Sequence, residues 1–535
     1  MRLPIATLLT ALFVVLTPCS AFAVYLSPDG TGQALIFPYY TAQSVGGDSL
    51  NTYISVVNHS SDAKAIRVRF REGRNSREVA AFNLFLSPSD TWTGAVVPSS
   101  TNAGAQLISA DRSCVSPQQP LVGGVSSIAF SQGAYVGDGL GSGLDRTREG
   151  WIEVLEMATV TGVTAGYVAH DSSGLPTNCD GVQGNAALEV AAPSGGLSGT
   201  LTLINVANGV EFSTNAEALA GLSSRSFFRP ADDSYPNFNA AEIDPVSVVT
   251  ANGFIFRSEW AQSVDAVSAV FMRTSWYGEF VLDAVTNSKT DVVMTFPTRQ
   301  FYVGINPTPA PFSESCSTPP DTLSGESIFL RYFGREESGA TYMGGRIVIA
   351  CAGSEVFDVR NKPPVASAST GVLGSMNLAM TTVNVPSSIS NGWIAISLPV
   401  ARTLTSLPTS TRTNIVTGQS ASGSHIFAGF ARGRIHGSNF RKRHADMRRG
   451  PGLPGKLRRG VPLQIFTNDH PGILRRRSSS FTFHASIGSW RAGPHLTQEP
   501  LHLLEADRSR MPRVDGIEVP VDEAQPRRAR FRARE

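Results

Sequence analysis

The chain has 535 residues, 41% of them apolar and 16% charged, with a formal net charge of +2 at pH 7. That is room for two to three domains with sizeable cores, and 50 glycines and 33 prolines favour many short strands joined by turns over helical bundles. The near-neutral total averages an acidic body and an arginine-rich segment beyond about residue 430, so it implies no nucleic-acid-binding surface on the body.

The N-terminus speaks for export. Met1-Arg2 is a minimal positive region, Leu3 to Leu16 is a short apolar stretch, and Ala21-Phe22-Ala23 is a small-residue cleavage site. Together they predict a signal peptide over residues 1–23 and a mature chain starting at Val24. The apolar stretch is too short to span a bilayer, and no later segment is long and apolar enough. The expected location is therefore secreted, periplasmic or cell-surface, without a transmembrane anchor after cleavage. Leu16-Thr17-Pro18-Cys19 has the outline of a lipobox, but Pro18 stands where a small residue is favoured. With Cys19 removed, Cys114, Cys179, Cys316 and Cys351 remain, an even number that in an exported chain reads as disulfides. Pairing by neighbourhood joins Cys114 to Cys179 and Cys316 to Cys351, although four cysteines permit three pairings. No Cys-x-x-Cys or paired-histidine spacing supports zinc, and no cofactor or metal is expected.

From Val24 to about Phe430 the dominant pattern is alternation at period two. In Ile66-Arg67-Val68-Arg69-Phe70-Arg71 the apolar residues share one face and the arginines the other, which predicts a half-buried antiparallel strand with a wet outer face. Phe82–Leu86 and Thr91–Thr93 follow, separated by the turn Ser87-Pro88-Ser89-Asp90. Further strands are predicted at Ala34–Tyr40, Thr52–Asn58, Trp151–Met157, Leu201–Val206, Val292–Phe296, Phe301–Val303, Ile328–Phe333, Arg346–Cys351 and Trp393–Leu398. Trp260, Val264, Val267 and Phe271 recur at helical spacing and predict one short helix that covers a sheet or bridges two layers. Val97–Val125, Gly133–Asp145 and Ile305–Glu326 read as long loops, where binding function most naturally resides. The expectation is an all-β protein of two packed immunoglobulin-like sandwich units, over 24–190 and 191–430.

Several phrases together carry a family likeness: Ser27-Pro28-Asp29-Gly30-Thr31-Gly32-Gln33, the run Phe70 to Val79, Phe82 to Trp92, Arg146 to Gly150, Asp265 to Ala269 and Thr295 to Thr298. In these the chain resembles a family of exported, β-rich proteobacterial proteins of unassigned function, over most of Val24 to His425. The resemblance implies an exported β-sandwich and brings no catalytic residues. Those proteins continue after a strand like Trp393–Leu398 into another apolar segment; here that continuation is lost near Phe427 to Phe430.

Before the compositional break only His59, His170 and His425 occur, with no Gly-x-Ser-x-Gly elbow and no His-Glu-x-x-His. A triad built on His59 or His170 is the residual route to serine chemistry. Glu153 and Glu156 stand at an odd separation on one strand, so they point to opposite faces and make poor partners for glycoside hydrolysis. Gly137 to Asp145 is read as a flexible loop, with a calcium site as the alternative. Arg67, Arg69 and Arg71 form a candidate stripe for an anionic ligand; the competing reading is a solvated face paired to Glu72, Glu78 and neighbouring-strand acids.

From about Ala431 arginine is abundant and lysine nearly vanishes, leaving only Lys442 and Lys456. Such text buries too little apolar surface to offset its ordering entropy, so residues 431–535 are expected to be a disordered tail. An out-of-frame reading of a GC-rich gene is the favoured origin, ahead of a natural tail or a functional polycation. The functional expectation is a structural or interaction protein of the cell envelope or exterior, with self-association or an envelope protein or glycan as partner. A secreted carbohydrate-binding or carbohydrate-acting protein is the alternative.

Overall fold

Even-numbered apolar residues of two neighbouring strands, Ile66, Val68 and Phe70 with Ile152 and Val154, enter one buried cluster, while the odd-numbered Trp151, Leu155 and Met157 enter another. A strand that is apolar on both faces belongs inside a layered structure, and the computed structural model places it there. It describes residues 22–430 except 46–47, 184–187, 208, 252, 284–287, 304–308, 313–324, 336–346, 351–352, 362–370, 377–380, 399–402, 409–412, 414, 418 and 421. The expected leader up to residue 21, Cys316, Cys351 and the arginine-rich segment 431–535 lie outside the described residues.

In chain order the main strands of the first half are β1 (Tyr25–Leu26), β2 (Ala34–Thr41), β3 (Asn51–Asn58), β4 (Ala63–Glu72), β5 (Glu78–Leu86), β6 (Thr91–Pro98), β7 (Ala105–Ser109), β8 (Cys114–Ser116), β9 (Ser126–Ala129) and β10 (Glu149–Val160). A short helix α1 (Gly162–Val168) precedes β11 (Val190–Ala191), β12 (Leu197–Asn205), β13 (Val210–Asn215) and β14 (Glu217–Ala220). They form two facing sheets. Sheet one runs β1-β14-β2-β10-β4-β5-β8, with β11 beside β10, and sheet two runs β9-β7-β6-β3-β12-β13. Residues 197–220 thus pair into both sheets, so the first sandwich runs past the expected division at 190/191.

The second half adds a hairpin, β15 (Val246–Ala251) and β16 (Phe254–Glu259), then α2 (Ser263–Phe271), and the strands β17 (Ser275–Val281), β18 (Ser288–Thr295), β19 (Gly325–Gly334), β20 (Ile347–Ala350), β21 (Ser354–Asn361), β22 (Thr381–Val385), β23 (Asn391–Ser397) and β24 (Ser422–Phe430). Sheet three is β17-β23-β19-β20 and sheet four β22-β21-β18-β24. All-β architecture with sandwich-like pairs of sheets is therefore the fold. The helix predicted from Val264, Val267 and Phe271 is present as α2 with all three residues buried, and it joins one large core shared by sheet one and the interior of the second sandwich.

Three expectations change. Phe301–Val303 is not a strand: Arg299–Phe301 is a 3-10 turn. Tyr302 donates its hydroxyl to Asp265 Oδ1 at 2.6 Å, which ties this turn to α2. The expected loop 97–125 contains β7 and β8, because Leu107 packs in the first core and Cys114 in a smaller third cluster. The outer face of β4 is not wet: all ten residues of Ala63–Glu72 are buried.

The two sandwiches meet over carboxylates. Glu149 on β10 accepts hydrogen bonds from Tyr39 at 3.0 Å and Gln43 at 2.6 Å within the first sandwich. From the connection between β21 and β22 it accepts Ser375 Oγ at 2.6 Å and the Met376 amide at 2.9 Å. Nearby, Asp291 on β18 is buried and accepts the Leu373 amide at 2.9 Å, while its ladder partner on β21 is another acid, Asp358. Burial chiefly pushes Asp291 up to about 7, and the charge of Asp358 adds to the rise. A carboxyl whose folded value lies above its unfolded one binds more protons when folded, so its contribution to stability is present at low pH and lost as pH rises from about 4 to about 7. Asp291→Asn is therefore expected to raise the melting temperature at pH 8 and to flatten its decline between pH 4 and 7. Thermal melts across that range check it; an unchanged slope would count against the assignment.

Candidate functional site

The arginines singled out from sequence do not make a surface stripe. Arg67, Arg69 and Arg71 are all buried: a strap of chain at residues 229–236 lies over Arg67 and Arg69, while Arg71 donates to the Ser76 carbonyl at 3.0 Å and lies over the Trp151 ring. Arg67 donates to the carbonyls of Pro230 and Ala231, each at 2.7 Å, and of Asp233 at 2.8 Å. Arg69 reaches the carbonyl of Pro236 at 2.9 Å and pairs with Glu153 and Glu78, each at 2.6 Å. Arg71 stands 3.4 Å from the other oxygen of Glu153. Burial, with Arg69 alongside, pulls Arg67 down to about 10. Burial would lower Arg69 too, but Glu153 and Glu78 outweigh it and hold it raised. Glu153 and Glu156 do point to opposite faces: Glu156 pairs with Lys64 at 2.8 Å and accepts the amides of Ser194 and Gly195. Neither is solvent-facing. The signal available in the sequence was the Glu-Val-Leu-Glu run of β10 lying opposite the Arg-Val-Arg-Phe-Arg run of β4.

The remaining candidates sort in the same way. Cys114 and Cys179 are joined in a disulfide with 5.3 Å between their Cα atoms, linking β8 to the turn that follows α1. In the glycine-rich loop Asp138 is taken by Arg146, at 2.6 and 2.8 Å, and by the Leu140 amide at 2.9 Å. A guanidinium thus fills the place that the calcium reading gave to a metal. Among the described residues no group of three or more His, Cys, Asp or Glu is arranged to hold a metal ion. His170 Nδ1 lies 3.1 Å from Ser87 Oγ and 3.6 Å from Asp90 Oδ2. Serine and acid approach the same ring nitrogen, which cannot relay a proton in the way a triad requires. His59 Nε2 lies 2.7 Å from Ser198 Oγ on an exposed sheet face, and among the described residues no carboxylate orients its other nitrogen. The turn Ser27–Gln33 lines an open cleft of about 860 Å³. That cleft offers one carboxylate, Asp29, and one cation, Arg257, among its described lining residues, which makes no acid–base pair.

Among the described residues, the outer face of sheet three has the composition of a contact site. Alternation along three strands sends Phe280, Leu330, Tyr332, Ile394 and Ile396 into the core and their neighbours outward. Cross-strand register then sets the outward residues in rows: Ser275, Ser397 and Phe329; Tyr277, Ala395 and Arg331; Glu279, Trp393 and Phe333. Tyr277 is 58% exposed, Phe329 41% and Trp393 40%. Phe333 stacks on Trp393 with ring centres 4.1 Å apart, and Tyr277 stands 6.2 Å from Trp393. Ala395, at the centre, is short and buried, so the rings and the Arg331 side chain surround a shallow floor. Exposed aromatics gathered on one face are what interfaces enrich. The alternation in Trp393–Leu398 and Ile328–Phe333 was legible, but which side faces water depends on the layer packed beneath, and sequence alone singled out none of these residues.

No protein-family model, no curated protein and no solved structure matches this chain. Among the described residues no helix is long and apolar enough to cross a membrane.

The buried ion pairs make a testable contrast. Removing one partner of a buried pair strands the other, at a cost of about 3–5 kcal/mol, whereas an exposed partner is worth under about 1 kcal/mol. Glu153→Ala is expected to lower unfolding free energy by the larger amount and Glu78→Ala, whose side chain is 39% exposed, by the smaller. Urea titrations of the two variants decide it, and equal losses would overturn the reading.

Proposed function

We propose that this chain is an exported interaction protein of the cell envelope or exterior, which engages a polypeptide partner through the aromatic outer face of sheet three. The observation that carries the reading is that Tyr277, Phe329 and Trp393 are exposed together on one face of one sheet. These rings are 40–58% exposed, so covering them on a partner adds roughly half of the ~1.5–3 kcal/mol that full burial of such a side chain contributes, and a few central aromatics can still dominate binding. Export is supported by the Ala21-Phe22-Ala23 site and by the Cys114–Cys179 disulfide. Val24 supports it from the fold: it is buried, and its amide donates to Val246 at 2.7 Å. Val24 would thus be the first residue left by cleavage and, among the described residues, the first buried one.

A glycan is the second reading, favoured by the short Ala395 floor between rings and by the polar ends of Glu279 and Arg331 beside it, since sugars stack on aromatic faces and need a few polar contacts for orientation.

Two measurements test these readings. N-terminal sequencing of the exported protein is expected to begin at Val24; another start removes the cleavage assignment. A photo-reactive phenylalanine analogue at position 277 is expected to capture a protein in vivo, and Trp393→Ala to abolish capture in a protein that circular dichroism shows to be folded. No protein adduct, together with quenching of tryptophan fluorescence by soluble envelope polysaccharide, would transfer the assignment to the glycan.

A further inference from the structure

The aromatic face is bounded by two opposite charges. Glu279 lies on β17 and Arg331 on β19, the strands either side of β23, and both are exposed. Neither forms an ion pair among the described residues. Whatever covers the rings must therefore meet an acid at one margin and a base at the other.

We propose that the occupant is a second copy of this chain, packed face to face about a two-fold axis running along β23. The inference rests on the proposed function and names its partner. β17 and β19 are both antiparallel to β23, so they run in the same direction. Rotation about the β23 axis lays β17 of one copy over β19 of the other without reversing it, the self-complementary arrangement of an isologous contact. Register then fixes what meets what. Tyr277 and Arg331 share a row, so each Tyr277 ring faces the other copy's Arg331 guanidinium, a cation–π pairing. Glu279 lies one row along and comes diagonally against the same guanidinium. Trp393 and Ala395 lie on the axis and meet their own symmetry mates, the short Ala395 leaving space for the flanking rings to interleave. An unrelated partner would have to carry the two charges in mirror order across an aromatic strip; a second copy does so by symmetry.

Light scattering coupled to size exclusion, on the full chain over a range of concentrations, tests this. The wild type is expected to pass from monomer to dimer. Glu279→Arg and Arg331→Glu are each expected to weaken the dimer by about tenfold or more, and the double variant to recover most of that loss, as coupled charges do. Both positions are exposed, so circular dichroism should show all three variants folded as the wild type. A species that stays monomeric at every concentration overturns the proposal, and so does a double variant weaker than either single. The photo-reactive group at position 277 separates the two levels of the reading. An adduct with the mass of two copies supports the dimer. An adduct with a different protein overturns the dimer and leaves the proposed function standing, whereas no protein adduct removes both.

Discussion

Three carboxylates on one strand hold the described layers together. β10 is buried along its whole length, and Glu149, Glu153 and Glu156 are spaced so that each is claimed by a different neighbour. Glu156 ties β4 to the turn at Ser194 and Gly195. Glu153 holds Arg69 and Arg71, and with them the face that carries the strap. Glu149 receives Tyr39 and Gln43 from one sandwich and Ser375 and Met376 from the other. A buried carboxylate is costly unless paired and hydrogen-bonded, so each acid accepts only the neighbour that satisfies it. The ion pairs of Glu153 and Glu156 run to the neighbouring strand β4 of the same sheet, so they fix what lies against each face of sheet one, while Glu149 ties that sheet to Ser375 and Met376. Specificity of arrangement, more than gross stability, is what such groups contribute.

Placement of the sheet-three face follows from that arrangement. One side of sheet four packs against the first core through Val293 and Val356, and its other side closes the second sandwich with sheet three. Among the described residues sheet three keeps an exposed outer side in the second sandwich, and alternation along β17, β19 and β23 delivers Tyr277, Phe329, Arg331 and Trp393 to it. The chemistry of the face is set by short-range pattern, and its exposure by long-range stacking.

That division explains what could be foreseen. Period-two alternation was enough to place most of the strands, because it records which side of a strand meets apolar neighbours. The spacing of Val264, Val267 and Phe271 was enough for α2. The arginines of β4 misled for a definite reason: charge at alternate positions ordinarily means water, and nothing local announces a strap lying some 160 residues further on. Likewise β7 and β8 hid inside a polar stretch because each is short and half its residues face outward. Tyr277 and Trp393 carry no local sign of exposure, because a lone aromatic in a strand is usually core. In each case the missing term was a contact distant in sequence.

The strap itself carries a consequence for how this protein can change over time. Arg67, Arg69 and Asn83 hold it by the carbonyl oxygens of residues 229–231, 233, 234 and 236, atoms that every amino acid supplies. The grip therefore reads the path of the backbone and is indifferent to most of the side chains along it. Substitutions in the strap should drift almost freely, while a single inserted or deleted residue would shift every carbonyl out of step with its donor. A segment that looks unconstrained letter by letter can be among the most rigidly counted in the chain.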